Sequence, residues 1–532
     1  MSFNDPAVNA LYDLPMEQRH IGYWLHRRAV EEGDRPFVTI GGETYSFVQV
    51  HKQSHDLARG LLTQGIGPQS RVVLLLPNCV EFVFSWFAAS LLGCQIVPLN
   101  TQLKHIQLEV LIEDAKPDGV IVHESFLGEL ASLSEIVRQS IPWVYYVGDG
   151  TERGMNAFEN FRSLDELFLS EGHSIQPFSD HRGIQVISYT SGSTGPAKGV
   201  MIPNAQAFSS ACTYMRLSAM NRDDVLYSPL PLFHGLSSRM CLLPALVLGA
   251  HAVIDVRFSA SSYWQKAAEC GASLGFVVHA IVSLIKAQPP GPYDRKHRVR
   301  AIFNAAHDEA FEQRFGVKTL EAFAMTETSF LLYNRYPLRQ WGSTGKAHED
   351  WQLALVDEQD QAVPIGKVGE LVARPLKPYI MMQGYLNKPQ ATLEAWRNLW
   401  FHTGDLLRCN EQGDYFYVDR KKDRIRRRGE NVSTFDVEHC VLDYESIQEC
   451  VILAYPSPMG EDDIRLILVA KAGLTLQPEV LYAWLKQRLP TFSLPRYIEC
   501  VDTLPRMGTG KIDKLELKKR GLGLNVWDAQ KL

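Results

Sequence analysis

Apolar runs alternate with mixed stretches over most of the first four hundred residues. Val72 to Leu76 (VVLLL) reads as a buried strand, residues 81–93 (EFVFSWFAASLLG) as a helix, and 95–99 (QIVPL) as a second strand. Pro77, Asn78 and Glu81 interrupt this segment, so it is not read as a membrane span. Further strand-like runs fall at Val120-Ile121-Val122, Trp143 to Val147, Ala252 to Val256 and Ala301-Ile302-Phe303. The alternation predicts an α/β protein whose large N-terminal domain holds layered β-sheets flanked by helices. The pattern changes after Arg420 to Arg428 (RKKDRIRRR), a basic run that fits a solvated face or a nucleic-acid patch and is also what a domain boundary looks like. Val437, Cys440 and Val441 then fit one helical face, and Leu481, Trp484, Leu485 and Leu489 another. Cys450 to Ala454 and Ile464 to Ala470 read as strands, so residues 421–532 form a small α+β domain after an N-terminal domain of 1–420.

One polar interruption carries chemistry. Thr190-Ser191-Gly192-Ser193-Thr194-Gly195-Pro196-Ala197-Lys198-Gly199 holds three glycines, four hydroxyl side chains, one lysine and no acid. Glycines let backbone approach a ligand, successive N–H groups cradle anionic oxygens, and the lysine adds a point charge. The composition indicates phosphate. It is not the G-x-x-x-x-G-K-[ST] loop, because counting from Gly192 puts Ala197 at the second glycine and Gly199 at the final hydroxyl. The flanks differ too: Ile184 to Tyr189 and Gly199 to Ile202 read as strands, with a helix starting only near Asn204.

Composition narrows the class. At 532 residues the chain exceeds a single core, so two or more domains are expected. Hydrophobic and charged fractions of 45% and 21% are ordinary for a globular chain, which excludes a disordered one. The formal net charge of −6 gives no reason to expect nucleic acid or an anionic membrane as partner. Nine scattered cysteines without a C-x-x-C pair point to reduced thiols in the cytoplasm. The first residues lack the apolar run of a signal peptide, and Gln530-Lys531-Leu532 matches the peroxisomal S-K-L ending only in its last two residues. Oligomeric state stays open, a homodimer included.

A second glycine-rich element, Met507-Gly508-Thr509-Gly510-Lys511, puts another lysine on a turn. Together the two elements suggest two lysines, on two domains, acting on one anionic ligand. Further short patterns follow in order: Pro231-Leu232-Phe233-His234-Gly235, Glu321 to Glu327 (EAFAMTE), His402-Thr403-Gly404-Asp405, Tyr417 to Arg420, Arg428 to Val432, and Leu504 to Lys511. With these, nearly the whole chain resembles the adenylate-forming (AMP-binding) enzymes, which include acyl-CoA synthetases. Within them, Arg314 to Val317 and Pro495 to Glu499 are similar to the crotonobetaine/carnitine-CoA ligase-like proteins.

The resemblance implies two steps: a carboxylate attacks the α-phosphate of ATP, giving acyl-AMP and pyrophosphate, and the thiol of coenzyme A then displaces AMP. It implies that Thr190, Ser191, Gly192, Ser193, Thr194, Gly195 and Lys198 hold the β- and γ-phosphates. Glu327 would coordinate Mg²⁺, Thr326 would bond the α-phosphate, and Ala322 and Phe323 would line adenine. Asp405 would bind both ribose hydroxyls and Arg420 would donate to the ribose from the other side. His234 would line the acyl site, the alternative being a satisfied or core histidine. Lys511 would bridge the acyl carboxylate and the α-phosphate. Lys422 matches the hinge about which a mobile C-terminal domain turns, withdrawing Lys511 and bringing the Arg428–Val432 loop, with Gly429, to the site.

Several positions depart from the family's pattern. Ala197 stands for a proline and Ala324 for a glycine. Arg428 replaces a glycine of the pantetheine tunnel, which leaves an amine or a carrier-protein thiol as alternative acceptors. Asn304 to His307 replaces an adenine-binding turn, and His279 a proline. Arg239 is read either as meeting an anionic end of the substrate or as an ordinary surface arginine. A non-catalytic nucleotide-binding protein is the reading from another class; Lys198, Glu327, Asp405, Arg420 and Lys511 argue against it.

Overall fold

The computed structural model describes residues 6–103, 105–148, 157–172, 174–190, 197–304, 307–338, 340–420, 425–427, 430–432, 434–457, 462–489, 491–507, 510–523 and 525–531. The chain divides into two compact units. The first is built from Met1–Ser191, Ala197–Gln352 and Pro375–Glu394, the second from Leu353–Arg374 and Ala395–Leu532.

The first unit holds two seven-stranded sheets. One runs Phe161–Ser163, Val144–Val147, Gly119–His123, Arg71–Leu75, Gln95–Pro98, β1 (Ile184–Thr190) and β2 (Lys198–Pro203). Its pairs are parallel except the last, an antiparallel hairpin in which Thr190 faces Lys198. The other runs Lys318–Leu320, Ala301–Phe303, Leu274–Phe276, Val225–Ser228, His251–Ile254, Pro36–Ile40 and Glu43–Ser46, and only its last pair is antiparallel. Parallel strands need both faces covered. The apolar run read as a helix is one, Val80–Leu92; eleven of its thirteen residues are buried, and Gly93 ends it in the left-handed region at φ 71°. Among the described residues no helix is long and apolar enough to cross a membrane.

Helix α1 (Asn204–Leu217) follows β2 directly, as the sequence predicts, and buries all but Arg216. A short antiparallel pair, β3 (Ala322–Met325) and β4 (Ser329–Tyr333), carries the EAFAMTE segment, with a bulge between Phe323 and Ala324. Ser329, after the turn, holds φ at 62°, unusual for a residue with a side chain.

In the second unit, Val368–Pro375, β5 (Phe401–Cys409) and β6 (Asp414–Arg420) pair antiparallel. Further along, Ile447–Pro456, Asp462–Ala470, Tyr497–Cys500 and Trp527–Asp528 form a four-stranded sheet. Helices Thr434–Leu442 and Pro478–Lys486 pack on it through Val437, Val441, Leu481 and Leu485. The second helix stops short of Leu489, which the periodicity included; Leu489 precedes Pro490, a position that disfavours helix. All nine cysteines are free thiols.

Candidate active site

In the first unit the phosphate-type loop closes the β1–β2 hairpin. The Thr190 hydroxyl donates to the Lys198 carbonyl at 3.4 Å. Ser191, Gly192, Ser193, Thr194, Gly195 and Pro196 lie outside the described residues. Lys198 opens β2, and its ammonium stands 4.7 Å from the centre of the Tyr385 ring. Cation and aromatic face attract, which gives the lysine a fixed seat.

Tyr385 belongs to a segment that clamps the outer edge of β2. Met201 N–H donates to Gly384 O, Gln383 N–H to Met201 O and Leu386 N–H to Gly199 O. Lys388 Nζ adds a bond to Ala197 O at 3.0 Å. This segment also reaches the EAFAMTE turn. The Tyr385 hydroxyl donates to Glu327 Oε1 at 3.0 Å, and Met382 N–H donates to Glu327 O at 2.8 Å. Burial and the Glu327 carboxylate hold the Tyr385 phenol well above its ordinary range, so it remains a donor. From α1, Gln206 Nε2 donates to Thr326 O at 3.0 Å and to Glu327 O at 3.2 Å. Thr326, Glu327 and Lys198 are thus tied into one contact chain through Tyr385 and Gln206, neither of which the sequence analysis singled out. No spacing or charge pattern marks them; only the fold brings them in.

Ala322 and Phe323 are half-buried on β3 and Ala324 is exposed. Asn304 is buried, with its N–H bonded to Leu320 O. His307 Nε2 lies 3.0 Å from Glu321 Oε2, with Nδ1 3.3 Å from the Thr319 hydroxyl, so the ring is held by protein groups. Ala305 and Ala306, and the side chain of His279, lie outside the described residues.

His234 is exposed, outside the core, at the start of a short helical turn, and its Nδ1 is satisfied by the Leu236 N–H, which it accepts at 3.4 Å. Arg239, read in one alternative as a surface residue, is 5% exposed. Burial pushes its guanidinium down to about 10, with Glu327 pulling the other way.

In the second unit Asp405 is buried at 1% exposure on β5. Tyr417 OH donates to its Oδ1 at 3.3 Å, and its own N–H donates to the Thr403 hydroxyl at 3.1 Å. The preceding Gly404 adopts φ 72°, and its N–H donates to Glu370 Oε1 at 3.1 Å. Glu370 Oε2 accepts from Arg397 at 3.0 Å and lies 3.2 Å from His402 Nδ1. Arg420 is the β6 partner of Asp405 in register; its side chain, and Lys422, Arg428 and Gly429 entirely, lie outside the described residues. Lys511 is exposed on a turn closed by Met507 N–H to Lys511 O and Gly510 N–H to Met507 O, both 2.8 Å.

Among the described residues no group of three or more His, Cys, Asp or Glu side chains can hold a metal ion. A lone carboxylate such as Glu327 suits Mg²⁺, which binds through one or two carboxylates plus substrate phosphates.

Residues 25–386 match the family model described as AMP-binding enzyme, and 436–511 match the AMP-binding enzyme C-terminal domain. The chain belongs to the AMP-binding enzyme family. Among the curated relatives of this AMP-binding enzyme is a crotonobetaine/carnitine–CoA ligase of Escherichia coli O139:H28, 27% identical over 486 residues that cover 89% of this chain and 93% of that one. Among solved structures, the anthranilate CoA ligase AuaEII in complex with anthranoyl-AMP superposes with a TM-score of 0.86 at 21% identity, covering 96% and 98% of the two chains. O-succinylbenzoate coenzyme A synthetase from Bacillus subtilis, in complex with ATP and magnesium ion, gives 0.79 at 22% identity, covering 93% and 99%. The AMP-binding enzyme therefore has the adenylate-forming fold.

Proposed function

We propose that this chain is an ATP-dependent acid–thiol ligase: it adenylates a carboxylic acid, releasing pyrophosphate, and passes the acyl group to coenzyme A. The observation that carries the reading is the match to a CoA ligase over nearly the full length of both chains.

The residues divide the work. The 190–199 loop and Lys198 bind the phosphates that leave as pyrophosphate. Thr326 bonds the α-phosphate. Mg²⁺, held at Glu327 when bound, supplies charge neutralisation to those phosphates. Ala322 and Phe323 face adenine, Asp405 takes the ribose hydroxyls, and Arg420 donates to the ribose. Lys511 lies between the acyl carboxylate and the α-phosphate, lowering the repulsion of two anions as the bond forms. His234 lines the acyl site. A hinge at Lys422, between domains 1–420 and 421–532, then withdraws Lys511 and brings Gly429 to the thiol path. The free cysteines support a reducing compartment, and we place the enzyme in the cytoplasm.

Acid-dependent exchange of labelled pyrophosphate into ATP, over a panel of acids, tests the first step. Exchange that yields no acyl-CoA when coenzyme A is added assigns the acceptor to an amine or a carrier protein, in keeping with Arg428. No exchange with any acid returns the chain to nucleotide binding without catalysis.

A further inference from the structure

Arg239 sits on a π-helical turn, Ser238–Leu242, four residues after Gly235. Such turns are rare and cluster at functional sites. The side chain is buried, yet among the described residues its guanidinium makes no hydrogen bond and no ion pair. Glu327 is the charge that acts on it, from beyond ion-pair distance. The guanidinium lies against the bare backbone of Gly235, where an added Cβ would overlap Arg239 Nη2. Gly235 follows His234, and Glu327 follows Thr326, so both neighbours of this arginine adjoin residues assigned to the acyl and phosphate sites.

Arginine brings five donors in a planar fork. None of its three nitrogens is fully sealed from solvent, so a fork that no protein group occupies stays open to a ligand. Two parallel N–H bonds fit the two oxygens of a carboxylate. Because Arg239 and Glu327 form no ion pair, anchoring Glu327 does not account for the arginine. We propose that Arg239 binds a second carboxylate on the substrate acid, so that the enzyme selects dicarboxylic acids. This rests on the ligase reading above and narrows its substrate class.

The test is pyrophosphate exchange with succinate, glutarate and adipate against their monomethyl esters and against butyrate and hexanoate. Wild-type protein should favour its best diacid over the matching ester by about 10²-fold in kcat/KM. Arg239→Met should erase that preference while leaving KM for ATP unchanged, and Arg239→Lys should keep part of it, having charge without the fork. Equal use of diacid and ester by wild type overturns the proposal. So does an Arg239→Met loss shared by every acid together with a raised KM for ATP, which would make the bound anion a phosphate. If wild type exchanges with no acid, the ligase reading fails, and the site is then judged by binding. Glutarate should raise the melting temperature of wild type and not of Arg239→Met, and no shift in wild type rejects the site as well. Melting of the unliganded variants separates misfolding from lost binding.

Discussion

The Tyr385 hydroxyl donates to Glu327 Oε1 at 3.0 Å while its ring carries the Lys198 ammonium at 4.7 Å. One side chain therefore seats both the proposed phosphate lysine and the proposed magnesium carboxylate.

Tyr385→Phe keeps the ring under Lys198 and removes the donor to Glu327. A hydrogen bond to a charged group contributes about 2 kcal/mol. We expect KM for MgATP to rise about 10-fold or more, with a steeper dependence on free Mg²⁺, and little change in KM for the acid. Pyrophosphate exchange titrated separately in ATP, Mg²⁺ and acid reads this out; a change confined to the acid would reject the assignment.

Lys511 stands exposed on its turn, so its replacement leaves no cavity. Lys511→Ala should slow adenylation by about 10²-fold or more. Transfer from preformed acyl-AMP to coenzyme A should remain largely intact. Equal loss in both half-reactions would contradict the hinged, two-position account of Lys511.

Glu370 is a positioning residue. It holds the Gly404 N–H, Arg397 and His402 around the backbone that delivers Asp405. Glu370→Gln removes its charge and should cost about 2 kcal/mol of stability. KM for ATP should rise more than kcat falls, because Asp405 loses its alignment. A merely structural role would lower the melting temperature and leave KM unchanged.

Stability should depend on pH through His348. Its Nδ1 accepts the Asp350 N–H at 3.0 Å and its Nε2 lies 2.9 Å from the Thr213 hydroxyl. Burial pushes the imidazole down to about 4, with Glu349 and Asp350 pulling the other way. The folded ring thus stays neutral where the unfolded ring, near 6.5, takes a proton. The stabilisation is complete above pH 6.5 and is lost as pH falls toward 4, an effect of about 3 kcal/mol. His348→Gln should flatten that part of the curve in melts at pH 7.5, 5.5 and 4.5. Parallel curves for variant and wild type would assign the pH dependence to other groups.

What the sequence made legible is local. The strand–loop–strand–helix order around Lys198 follows from apolar flanks and glycine content within thirty residues, and β1, β2 and α1 occur where the pattern places them. The helix at Val80–Leu92 is likewise written in its own composition. Tyr385 was not legible, because its bond to Glu327 spans 58 residues and no local spacing points to so distant a partner. The environment of Arg239 was hidden for a related reason. An arginine in a short polar stretch looks solvated until Gly235 and the surrounding core close over it. His307 shows the same limit, since its engagement with Glu321 depends on how Ala301–Phe303 and Lys318–Leu320 pair.

The hairpin that carries Lys198 has a consequence for how this site tolerates change. Side chains on a strand alternate between faces, and the register of β2 is pinned on both edges, by β1 and by the 383–386 backbone. The direction of the lysine is therefore set by the pleat and not by the length of the loop before it. A residue inserted between Thr190 and Ala197 alters the grip on the phosphates without turning the lysine to the opposite face. Here grip and charge can vary independently.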